Sequence, residues 1–193
     1  MKSFLSLLVY VHLFQASLAL YRSPLFGGSD KGGNFDDRAY SMTPKVIGFT
    51  NFLIQSSTTG IKGVQTTYEL EDGEIKTSPF HGGNAGPVNN SIGIGRGMPI
   101  VRIEGELSSE GNTSQQHLPS LTLYVRYPES LNLGKYGPYG GNTGSAKCPF
   151  GFSGIILGLF GQSNDDVEAI GFDIDTSPTP ATPYYKKDFC CRS

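Results

Sequence analysis

Apolar positions in this chain come in paired stretches. Val46-Ile47-Gly48-Phe49 leads to a mixed run from Gly60 to Tyr68. Ile100-Val101-Arg102-Ile103-Glu104-Gly105 leads to Leu121–Tyr127, and Ile155–Phe160 leads to Ile170–Ile174. In the second pair, Leu121, Leu123, Val125 and Tyr127 fall on one side. In the third, Ile170, Phe172 and Ile174 alternate with Gly171, Asp173 and Asp175. A period of two predicts strands with one buried face. After the first residues no stretch repeats at the helical period. Glu71-Asp72-Gly73-Glu74 predicts a hairpin turn, and Ser108–Gln116 reads as a polar loop.

A Gly-Gly pair precedes each strand pair. The stretches are Phe26-Gly27-Gly28, Phe80-His81-Gly82-Gly83-Asn84-Ala85-Gly86 and Tyr139-Gly140-Gly141-Asn142-Thr143-Gly144. Their first glycines are 82 − 27 = 55 and 140 − 82 = 58 residues apart. Three matches in step with the strand pattern predict three copies of a small antiparallel sheet. One such sheet cannot bury its apolar face alone, whereas three packed around a common axis can. The resulting class is all-β.

The N-terminus adds a compartment. Lys2, the apolar Phe4–Phe14 and Ser17-Leu18-Ala19 have the layout of a secretory signal, too short for a membrane span. The expected division is therefore a signal peptide over 1–19, one domain over 20–175, and a tail over 176–193. Removing the signal leaves fourteen Lys and Arg against seventeen Asp and Glu, a net charge of −3. That balance argues against nucleic acid, which needs a basic face. No later stretch is long and apolar enough for a membrane span, so a soluble, exported chain is expected. Cys148, Cys190 and Cys191 are the disulfide candidates. An odd count in an exported chain leaves one cysteine over for a link to a second copy. The Thr176–Pro183 tract, TSPTPATP, is expected to run extended. Asn89-Asn90-Ser91 and Asn112-Thr113-Ser114 are acceptor sequences for N-linked sugar at Asn89 and Asn112.

Catalysis finds little support. Only His81 and His117 survive signal removal, one beside a Gly-Gly turn and one at a loop edge, and both read as turn or surface residues. Asp36 and Asp37 are adjacent and face opposite ways on a strand, so they form no catalytic pair. Cys148 lacks the neighbours of a zinc site. No helix follows a glycine-rich turn to make a phosphate cradle, and no cofactor is expected. Binding fares better. Gly161–Glu168 joins two strands and offers carboxylates together with successive N–H groups, which suit sugar hydroxyls. A Gly-Gly turn brought close would let backbone approach a ligand with no Cβ in the way.

Several motifs, in order, resemble the jacalin-related lectins. They are Gly32-Gly33-Asn34-Phe35-Asp36-Asp37, His81-Gly82-Gly83, Ser120-Leu121-Thr122-Leu123, Lys135-Tyr136-Gly137-Pro138-Tyr139-Gly140, and Phe160-Gly161-Gln162-Ser163 through Ala169-Ile170-Gly171. The resemblance runs from about Leu25 to Asp175 and is closer to secreted animal members than to seed lectins. It implies a β-prism I fold, with three four-stranded Greek-key sheets in pseudo-threefold symmetry. It also implies one sugar site at an end of the prism, binding mannose- or glucose-type neutral glycans without metal. Carried over, that site comprises Gly32 or Gly33, a loop at Glu104-Gly105-Glu106-Leu107, and Asn164, Asp165, Asp166 and Glu168. Asp165 and Asp166 would give backbone N–H groups.

This chain departs from the family pattern at two positions. Asn164 stands where the family has glycine, on the expectation that Asn keeps the left-handed backbone. Glu168 stands where it has Asp, which moves the carboxylate by about 1.5 Å in a tuned site. Glu106, Asp165, Asp166 and Glu168 are expected to cluster and repel anionic glycans. The expected protein is a secreted, non-enzymatic lectin, a homodimer through a tail cysteine. The rival is a matrix protein, calcium- or mineral-associated, using the same fold with a degenerate site.

Overall fold

The computed structural model describes residues 20–28, 32–37, 45–83, 88–109, 116–130, 132–141 and 146–176, without the side chains of 109, 116, 117, 146 and 147. The signal, the tail beyond Thr176, Asn112, Cys190, Cys191 and the His117 side chain lie outside that description.

Three antiparallel hairpins form the frame. They are β4 (Val46–Ser56) with β5 (Ile61–Leu70), β9 (Ile100–Ser109) with β10 (Gln116–Arg126), and β13 (Ile155–Ser163) with β14 (Val167–Asp175). These are the three strand pairs the apolar pattern predicts. Flanking strands complete each sheet to four positions. β8 (Val88–Gly93) lies beside β4. β6 (Ile75–Thr77) and β7 (His81–Gly82) share the outer side of β5. β11 (Leu133–Gly140) and β12 (Ala146–Ser153) flank the β9–β10 hairpin. In the third sheet β3 (Gly33–Asp36) pairs with β13, while β1 (Leu20–Arg22) and β2 (Phe26–Gly27) both pair with β14. The molecule is thus three sheets of four antiparallel positions, the prism the resemblance implies.

The inward residues of all three sheets merge into one core, including Phe52, Ile54, Tyr68, Ile103, Leu121, Leu123, Phe152, Leu159 and Phe172. Each such side chain contributes roughly 1.5–3 kcal/mol on leaving water. Among the described residues no helix is long and apolar enough to cross a membrane.

The Gly-Gly repeat has a common structural role. Gly27, Gly82 and Gly140 have φ of 109°, 112° and 98°. Each lies on an outer strand beside the second strand of its hairpin. A Cβ there would sit 2.0, 2.2 and 2.0 Å from the carbonyl oxygens of Glu168, Lys62 and Pro119 respectively. Only glycine accommodates both the left-handed backbone and that approach.

Three expectations need correction. β14 is buried on both faces, not one, because the Phe160 ring covers Gly171 and Arg22 lies 3.7 Å over Phe160. β9 continues to Ser109 and β10 begins at Gln116, so Ser108, Ser109 and Gln116 of the predicted loop are strand. Finally, Glu104-Gly105-Glu106-Leu107 is not a loop but the middle of β9. Its glutamates look polar because they face outward, while Gly105 makes room on the core side for the ring of Phe150, its partner on β12.

Candidate functional site

β13 and β14 are joined by a short connection at Asn164-Asp165-Asp166, with Ser163 facing Val167 in the register. The Asn164 N–H donates to the Asp166 carbonyl at 3.0 Å, which closes the turn. No non-glycine among the described residues has positive φ, so Asn164 does not need the left-handed backbone expected of it. Among the described residues, the N–H groups of Asp165 and Asp166 take no backbone acceptor. Asn164 and Asp165 are exposed, and Glu168 is half-buried at the second position of β14.

Two glycine-rich segments pack against this turn. In the first, β3 pairs Gly33 with Ser163 and Asn34 with Gln162, reinforced by Gln162 Nε2 donating to Asn34 Oδ1 at 3.2 Å. A Cβ on Gly32 would lie 2.9 Å from the Ser163 nitrogen, so that approach needs glycine. The other is the second Gly-Gly turn. The Gly83 N–H donates to both Asp165 O at 3.0 Å and Lys62 O at 3.1 Å, and a Cβ on Gly83 would reach within 2.2 Å of Asp165 O. Lys62 Nζ also pairs with Asp166 Oδ2 at 2.7 Å.

Behind these walls lies a buried polar group. Asp37, which follows β3, is 2% exposed. Its Oδ2 accepts from Tyr68 Oη at 2.7 Å and Thr66 Oγ1 at 3.1 Å, and its Oδ1 accepts from His81 Nε2 at 2.8 Å. The Phe35 ring stacks on His81 with centroids 4.0 Å apart. Burial and the Asp37 charge push the Tyr68 hydroxyl well above its usual pKa. The group bolts β3 to the β5–β7 side and so fixes the spacing of the two glycine walls. His81 is therefore buried, which corrects the expectation of a turn or surface residue, and its partner Asp37 is 44 residues away in the chain. As predicted from their adjacency, Asp36 and Asp37 diverge. Asp36 is exposed and pairs with Arg22 at 2.8 Å.

The structure thus gathers Gly32, Gly33, Asn164, Asp165, Asp166 and Glu168 at one end of the third sheet. It does not bring Gly105 or Glu106 there. Both are mid-strand residues of the second sheet, lining a groove that contains none of the turn residues. The expected four-carboxylate cluster accordingly loses Glu106 and gains the cation Lys62. Among the described residues, no group of three or more His, Cys, Asp and Glu side chains is arranged to hold a metal ion. Sequence reading missed Lys62 and the clamping role of Gly83. Gly83 carried a signal, as part of the repeat, whereas Lys62 is separated from Asp166 by 104 residues and carried none. Elsewhere, Cys148 is buried in β12, and Asn89 is exposed on β8.

Comparison with known proteins places this geometry in context. The pattern of the Jacalin-like lectin domain matches residues 24–173. The chain is 32% identical over 117 residues to an agglutinin of Castanea crenata, covering 60% of this chain and 36% of that protein. It is 25% identical over 170 residues to Jacalin-related lectin 3 of Arabidopsis thaliana, covering 84% of this chain and 26% of that one. The chain therefore spans only about a third of the length of these relatives, or less. Among solved structures it is similar to a mannose-binding jacalin-related lectin from Ananas comosus, at 26% identity and a TM-score of 0.64 over 81% of this chain and 97% of that one. It is also similar to a mannose-specific jacalin-related lectin from Morus nigra in complex with mannose, at 25% identity and a TM-score of 0.63 over 80% and 94% of the two chains.

Proposed function

Because the chain belongs to the family of Jacalin-like lectin domains, we propose that it is a secreted lectin for neutral mannose- or glucose-type glycans, bound at the Asn164–Glu168 turn. The observation that carries this reading is the clamped turn itself. Its backbone is held by Gly83 and by Gly32-Gly33, with the Asp165 and Asp166 N–H groups directed to no backbone acceptor and Glu168 following at the second position of β14. Rigid N–H groups donate to sugar oxygens, and a carboxylate accepts from two hydroxyls. Glycine at 32 and 83 keeps Cβ atoms away from the turn backbone. Solved relatives described as mannose-binding support the choice of hexose. The reaction is binding without bond cleavage.

A glycan array with the mature chain, run with calcium and again with chelator, tests the reading. Selective neutral-glycan signals that survive chelation are expected. In titration with methyl α-mannoside, Glu168→Ala should abolish binding while leaving the unfolding transition in place. Retained binding in that variant sinks the assignment. A blank array under both conditions favours the matrix-protein reading, for which the Lys62–Asp166 ion pair is the relevant observation, since it already engages one carboxylate of the turn.

We infer secretion from the apolar leader, with Leu20 as the expected first residue of the exported chain. We also infer that Cys148 pairs with one of the tail cysteines and that the other links two copies. Non-reducing electrophoresis showing a dimer that collapses with reductant checks this.

A further inference from the structure

The outer face of the second sheet forms a groove of about 550 Å³, a volume within the usual range for small-ligand sites. Its cross-strand rows are set by the register. Glu106 faces Ser120, Glu104 faces Thr122, and Arg102 faces Tyr124, which in turn faces Lys135 on β11. The floor is low because Gly151 lies beside Glu104 and Gly140 beside Ser120. The groove therefore has two chemically different ends. Around Glu106, Ser120 and Thr122 it presents carboxylate and hydroxyl oxygens, with Ser120 Oγ donating to Glu106 at 3.4 Å. Around Arg102 and Lys135 it is cationic. Glu104 is held in place by Tyr124 Oη at 2.6 Å and by Arg102, so it partly neutralises Arg102. Among the described residues Lys135 forms no ion pair, and it is exposed at the groove wall.

We propose that this groove is a second binding site, for a short saccharide bearing one carboxylate, such as a uronic-acid disaccharide. Lys135 takes the sugar carboxylate in a charge-assisted hydrogen bond, with Arg102 two strands away across Tyr124 adding a second positive charge to that end of the groove. Glu106, Ser120 and Thr122 take the ring hydroxyls. Arg102 and Glu106 are four residues apart on β9, about 13 Å along the strand, roughly the length of a short oligosaccharide. A neutral glycan leaves Lys135 unused, and an extended peptide offers too few hydroxyl donors for the carboxylate end. The site stands on a different sheet from the Asn164–Glu168 turn and does not depend on the reading given to that turn.

The test is a nitrogen-15 NMR titration of the mature protein with a glucuronate–hexosamine disaccharide, its carboxyl-reduced analogue, and methyl α-mannoside as competitor. Shifts centred on Glu104–Glu106, Ser120–Thr122 and Lys135 are expected, undiminished by excess mannoside. Carboxyl reduction and Lys135→Glu should each weaken binding about tenfold, the worth of one charged hydrogen bond. Lys135→Gln, which removes the charge with little change of shape, should weaken it in the same direction. No shifts, shifts centred on residues 163–168, or equal affinity for the reduced sugar would each overturn the proposal.

Discussion

Two Gly-Gly turns use the same backbone device for different ends. Gly82 and Gly140 both take positive φ beside a hairpin strand. Gly83 and Gly141 are both pressed against the hairpin turn of another sheet, where a Cβ would lie 2.2 Å from Asp165 O and 1.5 Å from Thr58 O. Their surroundings diverge from there. Gly83 supports a turn with two aspartates and the Lys62 ion pair. Gly141 abuts Ser57-Thr58-Thr59-Gly60, where the Ser57 and Thr59 hydroxyls bond each other at 2.8 Å. The prism needs the glycines, but it does not need the carboxylates. Scaffold and chemistry are specified by separate residues, so one repeat can carry a binding turn while its counterpart remains plain.

The comparison is sharpest in the glycines themselves. Gly140→Ala should destabilise the fold by about 3–5 kcal/mol, combining the left-handed penalty with a backbone clash. Gly82→Ala should match it in chemical denaturation. Gly83→Ala should lose mannoside affinity along with stability, whereas Gly141→Ala should lose stability only. Equal loss of affinity in both would break the distinction between the turns.

Asp37→Ala comes next, at about 3 kcal/mol, because it leaves the buried His81 and Tyr68 without their acceptor, while Thr66 keeps Ser78. It should also weaken sugar binding through the Gly83 side, measurable by titration on the folded fraction.

Asp173 provides a control away from both turns. Burial raises its pKa from 3.8 to about 6, against the opposing effect of Arg22 at 3.7 Å. The folded state therefore holds a proton that the unfolded chain has released between about pH 4 and 6. Stability should fall as pH rises through that window and level off above it. Asp173→Asn should flatten the profile and raise stability at pH 7 by up to about 3 kcal/mol, with sugar affinity unchanged. A profile that stays sloped in the variant would assign the dependence to another group.

Lys62→Ala should have the smallest effect on stability, under about 1 kcal/mol for a partly exposed ion pair. Its value lies in binding. A several-fold change in mannoside affinity would show that the pair shapes the turn, and no change would show that it is incidental.

The sequence was most legible where function and fold depend on local rules. The three strand pairs followed from alternation, and the Gly-Gly spacing marked the three structurally equivalent turns. It was least legible in β9. There the resemblance implies a loop at Glu104–Leu107, although the apolar pattern reads Ile100–Gly105 as strand, and the strand continues through it. Nor could it show His81 as buried, since the burial depends on Asp37 and Phe35 arriving from a distant segment.

By itself, then, the sequence determined the all-β class, the threefold repeat and the loop that joins the last two strands, because period-two patterning and glycine's conformational freedom act within a few residues. Only the tertiary structure decided which carboxylates meet. It separated Glu106 from the turn, seated Lys62 against Asp166, and closed Asp37 on His81. Those pairings depend on the packing of three sheets about one core, which brings together side chains that no local rule relates.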